Sequence, residues 1–221
     1  MAGGKLFRSD LRPGFVDASG RWALGFLRRL YFEDKVTPRE LPEMRYDEVS
    51  DLFLTGRCAM VADWPGSYHR YVSPEQSKVA GRIEFALYPK GPANERWVYS
   101  GGHTFAVPTS VRDADGAKAL LKFLTSADAQ WHEALHGALP VLKSVQQRME
   151  AETEANSVAG RRLGMLTQTV ASHMLLPPRF PKYPAVEDVL WKSLQKGITG
   201  DWDVDDALHH AAEQMEKIVA T

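Results

Sequence analysis

The sequence has a single cysteine, no long apolar run and no excess of charge of either sign. Cys58 alone cannot form an internal disulfide, which suits a reducing cytosol or an exported fold without bridges and leaves the compartment open. No stretch approaches the length needed to cross a bilayer. The opening "MAGGKLFRSDLRPGF" lacks the apolar segment of a signal peptide, so a cytoplasmic location is expected if Met1 is the natural start. Lys plus Arg (27) nearly cancels Asp plus Glu (28), and neither sign runs for five residues. That balance argues against nucleic acid or an anionic membrane as partner. There is no nucleophile-elbow sequence, no glycine-rich phosphate loop, no internal repeat and no low-complexity tract.

What is present is ample apolar material: 44% of 221 residues, enough for one substantial core or two small ones without metal or disulfide support. Trp22, Ala23, Phe26, Leu27 and Leu30 follow helical spacing behind Ser19 as N-cap, predicting a helix to about Asp34. A second helix is expected from about Asp47, with Val49, Leu52 and Phe53 inward, ending at Gly56. "CAMVAD", "GRIEFALYP" and "WVYSGGHTFAVP" read as strands. Helical spacing returns from Asp115 to Leu124, and Ser126 is the expected N-cap of the next helix, with Trp131, Ala134 and Leu135 on its buried side. Further helices are expected over 143–156 and 160–175. The proline-rich "LLPPRFPKYP" is a stiff connector. Val204, Ala207, Leu208, Ala211, Ala212, Met215, Ile218 and Val219 form an unbroken apolar stripe behind Asp203, the pattern of a packed C-terminal helix. The mixture of helices and strands points to an α/β architecture.

Within "WHEALHG", His132 and His136 lie one helical turn apart with Glu133 beside them, the spelling of a zinc peptidase helix. Such a site needs a third protein ligand and an open position for water. No later histidine follows in "HEALHGALPVL", which leaves Glu150, Glu152 or Glu154 as distant carboxylates. The alternative is a pair of solvated histidines on the flank of an amphipathic helix. His209 and His210 are adjacent, so on a helix they point about 100° apart and cannot clamp one metal.

Three stretches carry a resemblance. "YDEVSDLFLTGRCAMVADWPGSYHR" (46–70) is similar to a helix ending in Phe-x-x-Gly-Lys/Arg, then Ala-Met, a strand and an aromatic-bearing turn. "SGGHTFAVPTSVRDADGAKALLKFLTSADAQWHEALHGALPV" (100–141) is similar to a Gly-Gly strand, a helix ending in Phe-Leu-Thr-Ser and a helix leading to Gly-x-Leu-Pro. "YPAVEDVLWKSLQKGITGDWDVDDALHHAAEQMEKIV" (183–219) looks like a closing pair of helices. Together they resemble the extracellular solute-binding proteins of ABC importers, in the sugar-binding group that includes maltose-binding protein.

The resemblance covers the latter part of that family. It implies a periplasmic-binding-protein-like α/β fold in which residues 1–100 and 158–221 form the second lobe. Residues 101–157 would return to the first lobe, whose opening βα units are missing. It further implies a non-enzyme that needs no cofactor or metal and delivers a sugar or related polar solute to an ABC permease in the periplasm or extracellular space. With one wall of the cleft absent, affinity should fall.

Sugars present apolar C–H faces and hydroxyls, so their sites use aromatic rings and hydrogen-bonding side chains. The family positions carried over are Asp63, Trp64 and Tyr68 in "ADWPGSYHR", Gly102 and His103 in "YSGGHTF", and Tyr183 after the proline-rich loop. Packing roles for Trp64 and Tyr183, and a hinge role for the glycines, are the alternatives. Two rival functions stand beside binding: a zinc-dependent hydrolase using His132, Glu133 and His136, and a ligand-free remnant that self-associates through the face left open by the missing lobe.

Overall fold

In the computed structural model, residues 1–102 and 104–220 are described, and backbone contacts divide the chain into two units. The first comprises residues 1–44, 88–100 and the segment from 173 onward; the second comprises 45–87 and 101–172. The division shares the boundary after residue 100 with the expected lobes and otherwise draws its lines elsewhere. It reflects contacts within this chain, whereas the lobes are defined on a two-lobed relative.

In the first unit, Asp17 rather than Ser19 caps helix α1 (Ala18–Arg28), its carboxylate accepting from the Gly20 N–H at 2.9 Å. Cap propensity alone does not separate two such neighbours. The chain then continues as a π-helical turn over Arg29–Glu33, ending where expected. Only Leu24 on α1 is buried, while Trp22, Phe26 and Leu27 are exposed, contrary to the spacing read from sequence. The reason is that α1 carries apolar side chains on more than one face, and Leu24 is the one that reaches α8 (Tyr183–Thr199) and α9 (Val204–Ala220). Along α9 the predicted stripe is inward, with Ala207, Leu208, Ala211 and Met215 buried. These residues form one core with Phe15, Leu24 and Val186.

Strand formation departs most from expectation. "CAMVAD" and "GRIEFALYP" are not strands, and no backbone ladder bonds join them to another segment among the described residues. A strand is defined by its partner, so an apolar run does not suffice. Of the third stretch only Val98–Tyr99 (β1) pairs, in parallel register with Met174–Leu175 (β2). The latter was expected to be helical.

The second unit holds α2 (Tyr46–Leu54), α3 (Tyr68–Val72), α4 (Ala114–Leu124), α5 (Ala127–Leu135), α6 (Lys143–Glu152) and α7 (Val158–Ser172). On α2 the Glu48 carboxylate accepts from the Arg45 N–H at 2.6 Å, and Gly56 follows with φ of 75°. Leu52 is buried as expected, with Val49 and Phe53 half-buried. Ser126 caps α5, accepting from the Ala129 N–H at 3.2 Å. Of the side chains assigned to the buried side of α5, Ala134 is buried and Trp131 half-buried beneath the Arg148 guanidinium, whereas Leu135 is 64% exposed. This helix of nine residues is short enough that one small side chain supplies its fully buried contact.

Candidate functional site

Within the second unit, the turn "DWPGSYHR" joins Ala62 to α3 by way of a single 3-10 turn over Pro65–Ser67. Trp64 is extended, at φ −73° and ψ 145°, the backbone that precedes a proline most readily. Asp63 anchors the turn from below. Its Oδ2 accepts from Ser50 Oγ of α2 at 2.6 Å and from the Tyr71 hydroxyl of α3, while Oδ1 accepts from the Trp64 N–H at 2.6 Å. The Asp63 carboxylate is thus engaged by two side chains and its neighbouring amide, which suits holding the turn at least as well as facing a ligand. Ser50 and Tyr71 are both buried. Burial, followed by the hydrogen bond to Asp63, pushes the Tyr71 phenol well above its ordinary value.

With its base held, the turn presents rings outward. Trp64 is 42% exposed and meets Tyr46 edge to face, with centroids 6.2 Å apart. Tyr46 is itself 72% exposed. Tyr68 is half-buried, tilted against Phe85 at 5.7 Å, with the Arg162 guanidinium carbon 4.3 Å from its ring centroid. Asp63, Trp64 and Tyr68 are therefore brought together. Gly102 belongs to the same unit, is exposed and has open space around the position of a Cβ. His103 lies outside the described residues. Tyr183 belongs to the first unit, at the start of α8, where its ring meets Phe180 edge-on at 5.9 Å and its hydroxyl lies 3.5 Å from Glu187 Oε1. Burial first, and then the Glu187 charge, raises the Tyr183 phenol above its usual range. Sequence reasoning passed over Tyr46, Ser50, Tyr71 and Arg162, whose relation to the turn is visible only once the chain is folded.

The profile of the bacterial extracellular solute-binding proteins matches residues 1–131. The chain belongs to that family. A mannitol-binding protein of Pseudomonas aeruginosa is 25% identical to this chain over 97% of the chain's length and 52% of the relative's. A solute-binding protein of an ABC transporter from Thermotoga lettingae TMO, solved with α-D-tagatose bound, superposes with a TM-score of 0.83 at 26% identity, covering 99% of this chain and 54% of that one. Maltose-bound MalE3 of T. maritima gives a TM-score of 0.82 at 24% identity, covering 98% and 54% respectively. The chain thus has a periplasmic-binding-protein fold and spans about half the length of the relatives it matches. No helix among the described residues is long and apolar enough to cross a membrane.

The His-Glu-Ala-Leu-His stretch of this family member falls at the end of α5. The two rings do share a face, with centroids 4.8 Å apart. However, His136 is already the C-cap residue, and its Nδ1 lies 2.8 Å from the His132 carbonyl. Of the distant carboxylates, Glu150 accepts from Thr167 Oγ1 at 2.6 Å and Glu152 from Arg148 Nε at 2.8 Å. No group of three His, Cys, Asp or Glu side chains able to hold a metal occurs among the described residues. Gly137, which closes the stretch, has a φ of 95°, and a Cβ there would lie 3.2 Å from the His69 nitrogen and 3.5 Å from Tyr68 Cδ1. The spelling that resembles a peptidase therefore ends in a glycine that lets α5 approach the aromatic turn closely.

Proposed function

We propose that this chain is the solute-binding component of an ABC importer, taking a neutral sugar or polyol and handing it to permease subunits at the outer face of the membrane. It acts by binding and not by catalysis. The observation that carries this reading is the aromatic turn, where Trp64 and Tyr46 show their rings to solvent above a half-buried Asp63 held by the buried Ser50 and Tyr71. Exposed rings on a fixed base suit the C–H faces of a polyhydroxy ligand, and the mannitol-binding and tagatose-bound relatives point to the same ligand class. Gly102, His103 and Tyr183 are proposed as further cleft residues. Against a complete relative, residues 1–100 and 158–221 are assigned to the second lobe and 101–157 to the first.

Calorimetric titration of the chain with D-mannitol, D-tagatose and maltose tests the reading. Binding of at least one is expected, weaker than in a complete relative because the ligand buries less surface. Trp64→Ala should weaken it by about tenfold or more. Absence of binding to all three, or full affinity in Trp64→Ala, would overturn the proposal.

A second reading is self-association through an open face, and one element favours it. Helix α4 is amphipathic yet has no buried residue, with Leu120 58% and Phe123 65% exposed.

A further inference from the structure

A charged side chain in the second unit is more deeply buried than its charge alone would favour. Arg162 on α7 is 4% exposed, and no carboxylate lies within ion-pair reach of it among the described residues. Loss of water holds its guanidinium below the ordinary arginine value. Burying an unpaired charge is costly, so an apolar residue would fill this place more cheaply. What the arginine does instead is reach three neighbours at once. Nη2 donates to the Pro65 carbonyl at 2.6 Å and, at 3.4 Å, lies toward the Gly137 carbonyl, while the guanidinium plane sits against Tyr68.

All three contacts converge on one place. Pro65 directly follows Trp64, Tyr68 opens α3, and Gly137 is where α5 packs onto Tyr68 and His69. A flat, multi-donor, delocalised cation is the side chain suited to bond separate carbonyls and stack on a ring simultaneously; lysine offers the charge without the plane. We propose that Arg162 is the positioning residue of the aromatic turn, fixing the direction in which Trp64 is presented and so setting solute affinity without touching the solute. The effect on affinity rests on the binding function proposed above, whereas the effect on the turn does not.

Hydrogen–deuterium exchange on the full chain separates this role from mere core filling. In Arg162→Met, the amides of 64–72 should exchange about tenfold faster, while α6 keeps its protection. Arg162→Lys should recover part of that loss. Unchanged exchange over 64–72, or an even loss across 45–87 and 101–172, overturns the proposal. If Arg162→Met does not fold, Arg162→Lys is judged by the same two criteria. Titration with D-mannitol then tests the consequence: affinity should fall about tenfold in Arg162→Met and less in Arg162→Lys. If the unmodified chain binds neither D-mannitol, D-tagatose nor maltose, the binding function fails while the exchange result still decides the role of Arg162.

Discussion

Tyr71 is buried among Phe53, Ser50 and Asp63, and its hydroxyl completes the support of the Asp63 carboxylate. The folded state keeps this phenol protonated at a pH where the unfolded chain releases the proton, since burial first, and then the hydrogen bond to Asp63, disfavours the phenolate. The linkage therefore has a negative slope at high pH. Its contribution is fully present below the unfolded tyrosine value of about 10 and is lost as pH rises through the folded value. Urea unfolding measured from about pH 8 to pH 11 should show stability falling at the alkaline end, and Tyr71→Phe should flatten that fall. At neutral pH the same substitution should cost about 1–2 kcal/mol, because Asp63 loses one donor but keeps Ser50 and the Trp64 amide. An unaltered alkaline slope in Tyr71→Phe would show that another group carries it.

Helices α1, α8 and α9 meet at Gly197, where the absence of a side chain sets how closely they pack. A Cβ there would lie 2.9 Å from that of Ala207 and 3.0 Å from Leu24 Cδ2. Leu24 can shift its methyl, but the Ala207 Cβ is fixed to the α9 backbone. Gly197→Ala should therefore destabilise by about 1–3 kcal/mol even though alanine is the better helix former, seen as a lower urea midpoint with an unchanged slope. A rise in midpoint would mean that α9 moves aside freely.

Helices such as α9 were legible in the sequence because their apolar stripe is a local, periodic property. In α1 the same reasoning misassigned the face, since Trp22 and Phe26 stack on each other at 5.3 Å outside the core. Strands were less legible, because β1 finds its partner beyond the whole intervening segment 101–172. The site divides likewise. Trp64 and Tyr68 announce themselves through proline and neighbouring rings, whereas Arg162 reaches Pro65 across 97 residues and nothing local marks it.

At the scale of the whole molecule, apolar surface is left over in the second unit. Phe105, Leu120, Phe123, Leu135 and Val141 are each more than half exposed. Large apolar side chains in such number are a hazard in dilute solution and a driving force in concentrated solution. Light scattering over a concentration series should show the average mass rising with concentration, and Phe123→Lys on α4 should reduce the rise. A constant monomer mass at every concentration would remove the self-association reading.

The pairing of β1 with β2 has a consequence for how this chain can be cut and rejoined. The Val98 N–H bonds the His173 carbonyl at 2.8 Å and the Ser100 N–H bonds the Leu175 carbonyl at 2.9 Å, so segment 101–172 leaves and rejoins the first unit at neighbouring points. Topologically it is an inserted cassette. The entropy of closing so long a loop grows only with the logarithm of its length, so the two-residue ladder tolerates cassettes of different length almost equally. Recombination that exchanges this segment among relatives thus leaves the helices packed around Met215 as they are, provided that 45–87, which folds with it in the second unit, is exchanged along with it.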